Sequence, residues 1–123
     1  MADTNTEVKT NEIPIEDIVT YSITEEMMVE LKPGADGERH FCQVEVFFSM
    51  NSQHKDYKKY GATIGDNELI LKSIVSEVFQ QYNMDDARAN QDEIRAKILK
   101  RVQEKYGGSD FVFDVSFSDI IFQ

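Results

Sequence analysis

Hydrophobic positions change their period several times along the chain, and each change marks an element. Met27, Val29 and Leu31 alternate with Met28 and Glu30, which is strand period. Pro33-Gly34-Ala35-Asp36-Gly37 then calls for a reversal, because these residues fix φ near −65° or tolerate positive φ. From His40 to Met50 the alternation resumes, with Cys42, Val44, Val46, Phe48 and Met50 on one face. Gln43, Glu45 and Ser49 mark the other face together with Phe41 and Phe47, so the two runs predict a β-hairpin. Residues 51–65 are polar and read as a loop that opens into a helix, with Asp66 or Asn67 as N-cap. Leu71, Ile74, Val75, Val78, Phe79 and Tyr82 then recur at helical spacing as a wide apolar stripe that needs a covering layer.

The pattern breaks over residues 83–89, and Asn90 with Glu93 three positions on predicts a capping box. The second helix carries Ile94, Ile98, Val102 and Tyr106 inward, flanked by Leu99, and stops at Gly107-Gly108. Phe111, Phe113, Val115 and Phe117 alternate with Val112, Asp114, Ser116 and Ser118, which predicts a last strand. Its phase slips at Ser118-Asp119, the mark of a bulge or a strand end packed on both sides. Ahead of the hairpin, Ile15, Ile18 and Val19 behind Pro14 predict a turn or two of helix between Ile13 and Tyr21. Residues 1–12 show no period.

The order strand, strand, helix, helix, strand predicts an α+β fold, a small three-stranded sheet with two long helices across one face. Its other face would present Phe41, Phe47, Val112, Ile120 and Phe122, to be covered by the N-terminal segment or by another subunit. At 123 residues and 41% hydrophobic composition, the chain is one domain, able to bury roughly two-thirds of its unfolded surface. A single cysteine, Cys42, excludes an intrachain disulfide framework. No apolar run exceeds three residues, so the sequence holds no membrane span and no signal-peptide core.

Charge sharpens this picture. The net charge is −10, which argues against general affinity for nucleic acid or anionic lipid. Residues 1–31 hold eight acids against Lys9 alone, so they form an acidic lead-in to a nearly balanced body. The second helix carries Arg95, Lys97, Lys100, Arg101 and Lys105 away from its apolar stripe. That basic face is either an ordinary solvated surface or a docking surface for an acidic partner, and its contrast with the lead-in permits head-to-tail contact between copies.

Candidate chemistry adds little. His40, Cys42 and His54 are the only soft metal ligands, but no zinc-type spacing joins them, and the strand pattern places Cys42 in the core. The same residues would be needed for a Cys/His nucleophile, and no orienting third group is apparent. Asp36-Gly37 reads as a turn, and neither it nor Asp85-Asp86 through Glu93 has the spacing of a calcium loop. The glycines form no phosphate cradle. The chain is therefore expected to be no enzyme and to carry no cofactor. The competing class is a small enzyme or ligand-binding domain that sets acids such as Asp114 and Asp119 beside a pocket. A third possibility is an acidic, secretion-chaperone-like α+β dimer.

The hairpin MMVELKPGADGERHFCQVEVFFSM, the segment DDARANQDEIRAKILKRVQEKYG and the closing strand FVFDVSFSDIIFQ together resemble the flagellar basal-body-associated protein FliL. The resemblance covers residues 24–123; Asp85-Asp86-Ala87-Arg88 supplies the turn into the amphipathic helix, and Val115 to Gln123 the family's close. It implies a domain similar in fold to the stomatin/prohibitin (SPFH) family, on the periplasmic side of the cytoplasmic membrane. It further implies anchoring by one N-terminal helix, self-association into rings, and binding to the stator proteins MotA and MotB in support of torque, swimming and swarming. It carries over no catalytic residue. This sequence contains no such anchor, so residues 1–20 are expected to be a juxtamembrane linker or disordered lead-in, and residues 21–123 the extracytoplasmic domain of a trimmed chain.

Overall fold

A computed structural model describes residues 12–123. In chain order the elements are β1 (Ile18–Ser22), β2 (Met27–Glu30), β3 (Phe41–Asn51), α1 (Tyr57–Tyr60), a 3-10 stretch (Gly61–Asn67), α2 (Glu68–Phe79), α3 (Met84–Ala89), α4 (Gln91–Lys105) and β4 (Val112–Phe122). The fold is α+β, as the periodicity predicts.

β3 is the middle of an antiparallel sheet, and its alternation survives intact. Cys42, Val44, Val46, Phe48 and Met50 are buried under the helices, while every intervening residue stays half-buried on the opposite face. Each large apolar side chain so enclosed contributes about 1.5–3 kcal/mol relative to an exposed one. β4 pairs along one side of β3, and β1 and β2 share the other, β1 against residues 47–51 and β2 against residues 41–44. α2 and α4 run antiparallel across the buried face, where Leu71, Ile74, Val75, Val78 and Phe79 meet Ile94, Ile98 and Val102.

The sheet has four strands where the sequence predicts three. Residues Ile13 to Tyr21, read as helix, give only one 3-10 turn, Ile15–Asp17, and then enter β1. Pairing decided this: Ile23 N–H donates to Val46 at 3.1 Å and Ser52 N–H to Asp17 at 2.8 Å, tying both ends of β1 to β3. β-branched Ile18, Val19 and Thr20 suit an extended edge better than a short isolated helix.

Segment 83–89 also differs from the reading. It is a helix, α3, because the Asn83 carboxamide oxygen accepts from Asp86 N–H at 2.8 Å and caps it. Asn90 does not close the predicted capping box; its amide donates instead to the Asp86 carbonyl at 2.8 Å, joining α3 to α4. Nor does Asn67 cap α2 through its side chain, which donates to the Tyr106 hydroxyl at 3.0 Å.

β4 carries two register shifts against β3. Val112 lies opposite Met50 and Asp114 opposite Ser49, so Phe113 is an inserted residue and the core phase moves to Val115 and Phe117. The second shift is the bulge predicted near Ser118-Asp119, and Asp119 occupies it with a φ of 53°. Aspartate tolerates this left-handed region better than most residues. An unbroken strand would turn Asp119 and Ile121 inward; the extra residue brings Ile120 and Phe122 onto the core instead. The expected outer set is corrected accordingly. Val112 is fully buried and Ile120 and Phe122 pack on the core, whereas Ile121 and Met28 join Phe41 and Phe47 outside.

Candidate interaction surface

The basic residues of α4 do not form one patch. Lys97, Arg101 and Lys105 follow each other at i, i+4 and i+8 along the seam with α2. Lys97 lies 4.9 Å from the Tyr82 ring centroid and 3.7 Å from Glu93; Arg101 donates to Glu77 at 2.6 Å. Arg95 points the other way, over the Phe117 ring of β4 at 5.6 Å, and pairs with Asp92. Lys100 and Lys105 are exposed and have no ion-pair partner among the described residues. Three of the five predicted cations are thus already engaged within the fold.

Phe41 and Phe47 share the outer sheet face but lie toward opposite ends of β3, separated on that face by Gln43 and Glu45, and both are half-buried. Arg39 stacks over Phe41 at 5.5 Å and forks onto Glu30 at 2.9 and 3.1 Å, so this end of the face has a polar rim. Met28 and Ile121 are 59% and 49% exposed on either side of it.

The residues weighed for metal or acid chemistry are kept apart. Cys42 is buried on the core side of β3, and burial pushes its thiol up to about 12, a poor nucleophile. His40 contacts Asp36 through Nε2 at 2.9 Å, and both line a cavity of about 350 Å³ together with Asn83, Asp85 and Asp86. His54 ties two loops: Nε2 contacts Asp110 at 2.7 Å, and Nδ1 accepts from Asp56 N–H at 3.0 Å. Ser109 donates to Asp56 at 2.6 Å, not to the imidazole, so the serine, histidine and acids there brace the α4–β4 turn and form no relay. Asp114 and Asp119 are exposed on β4 and line none of the described cavities. No group of three or more metal-ligating side chains occurs among the described residues. No helix among them is long and apolar enough to cross a membrane.

Sequence comparison gives this architecture its relatives. The family profile of the flagellar basal body-associated protein FliL matches residues 20–123. The chain belongs to the FliL family. Membership in FliL assigns a flagellar basal-body accessory role to the matched residues, which run from within β1 through β4. No match was found among curated proteins. Asp3, Glu7 and Lys9 of the acidic lead-in lie outside the described residues, while Glu12, Glu16 and Asp17 lie within them and have no ion-pair partner there.

The surface features that sequence reasoning missed are Leu69 and Ile70, 79% and 48% exposed at the start of α2. They had a signal, since they lie off the Leu71, Ile74, Val78 stripe and had no assigned partner.

One pH effect follows from the β2–β3 turn. The hydrogen bond to Asp36 raises the His40 pKa, and the same bond, followed by that from Glu38 N–H, holds Asp36 low. A raised histidine stabilises fully below its unfolded value of about 6.5 and loses the effect as pH rises through its folded value. A depressed aspartate stabilises above about 3.9 and loses the effect as pH falls. The stability difference between the parent chain and His40→Gln is therefore expected to be greatest between about pH 4 and 6.5 and to shrink toward pH 8. Urea unfolding across that range measures it; a difference that does not change with pH counts against the pair.

Proposed function

We propose that this chain is the extracytoplasmic, periplasmic domain of a flagellar motor accessory protein that self-associates and binds the stator proteins MotA and MotB. Residues 1–20 are the lead-in to a membrane anchor in this reading, and residues 21–123 the working domain. The observation that carries it is the one-sided sheet of a basal-body-associated chain. α2 and α4 cover one face of β3, while Phe41, Phe47, Met28 and Ile121 stand on the other with no described layer above them. Apolar side chains left open on the uncovered face of a small domain, here Phe41, Met28 and Ile121 at one end and Phe47 toward the other, support a contact surface for another protein. The role is mechanical: the domain holds a stator subunit in its working arrangement and catalyses no reaction. Of the basic residues of α4, Arg95, Lys97 and Arg101 are engaged within the fold, so a second, polar contact falls to Lys100 and Lys105.

Motility under load tests this. Cells whose only copy carries Phe41→Glu and Phe47→Glu should swim and swarm more slowly as viscosity rises. The variant should fail to copurify with the periplasmic part of MotB, yet keep its circular dichroism and urea midpoint. Cells lacking the protein that turn the motor at parental torque under every load remove the basis of the proposal.

A further inference from the structure

Two surface features outside the sheet face match each other in chemistry. One is the turn ahead of β1, where Ile15 is 86% exposed between the acids Glu12, Glu16 and Asp17. That turn is rigid at its base: Asp17 N–H donates to Pro14 at 2.9 Å, and the Asp17 carbonyl accepts from Ser52 at 2.8 Å. The other is a groove of about 310 Å³ between α2 and α4, in which Leu69, Ile70 and Ile74 form the apolar wall and Arg101 and Lys105 the basic one. Glu77 there is already engaged by Arg101, so Lys105 is left as an uncompensated cation. Ile15 does not line this groove, and its own exposure shows that the fold leaves it uncovered.

We propose that the groove between α2 and α4 receives the acidic Glu12–Asp17 turn of a second copy of this chain, with Ile15 against Leu69 and Ile70 and the flanking carboxylates facing Lys105. The proposal rests on self-association in the functional reading above and names the surfaces that perform it. Apolar contact supplies the binding, and opposite charge selects the orientation. Because the two surfaces differ, the contact is heterologous: each copy offers one turn and one groove, so the arrangement propagates into a ring or a filament instead of stopping at a dimer. The sheet face carrying Phe41 and Phe47 stays free in every copy for the stator.

Sedimentation of the full chain with charge-reversed variants tests it. Lys105→Glu and Glu16→Lys should each weaken association about tenfold at low salt. A mixture of the two variants should recover it, since each then meets one native and one exchanged partner surface. Ile15→Ser and Leu69→Ser should weaken association at any salt concentration. A bis-maleimide should join Ile15→Cys to Leu69→Cys in a mixture and neither variant to itself; the buried Cys42 thiol is no competing target. Association that none of these substitutions alters overturns the interface and leaves self-association standing. A parental chain that stays monomeric overturns both, and stator binding is read independently by the copurification above.

Discussion

Phe48→Ala is expected to destabilise the domain by about 3–5 kcal/mol, the largest effect of any single substitution considered. Phe48 is fully buried at the centre of β3, paired with Tyr21 of β1 on one side and Val115 of β4 on the other. Truncation removes the transfer energy of the ring and leaves a void, and paired strands on both sides restrict the collapse that would refill it. Domains of this size are stable by only about 5–15 kcal/mol, so the loss is a large share of the whole. Urea unfolding followed by far-UV circular dichroism measures it. A loss below about 1 kcal/mol would mean that the strands paired with β3 yield and the core closes over the site.

Gly61→Ala is expected to cost about 1–3 kcal/mol for a different reason. Gly61 joins α1 to the 3-10 stretch with ordinary helical backbone angles, so conformational freedom is not what the position requires. Space is. A Cβ there would fall 2.4 Å from Cδ1 and Cε1 of Tyr57, whose ring packs against the core. The ring must move, disturbing the link that carries the chain from the β3 end into α2. A double-mutant cycle separates this from a general loss of packing: in a Tyr57→Ala background the same glycine substitution should cost much less. An unchanged cost in that background would place the obstruction elsewhere.

Legibility in the sequence followed the strength of the local pattern. β3, α2 and α4 were readable because each repeats one period over ten or more residues, long enough for a single buried face to be unambiguous. β1 was misread because five residues containing Ile18 and Val19 fit either period, and only the hydrogen bonds to β3 choose between them. α3 was hidden for a related reason, since Ala87 is its one buried residue and gives no stripe to count. On the surface, the five basic residues of α4 were visible as a composition, but not their division. Glu77, Glu93, Tyr82 and Phe117 come from α2, α4, the turn after α2 and β4, and engage three of the five.

Periodicity by itself therefore determined the fold class, the inward faces of β3, α2 and α4 and the buried place of Cys42. These depend on residues near one another in the chain, where side-chain direction follows from helix or strand geometry. Tertiary pairing alone decided the fourth strand, the inward turn of Ile120 and Phe122 after Asp119, and which cations remain free. Those outcomes depend on what lies opposite, and an edge strand, a bulge or an ion pair has no energy until its partner is in place.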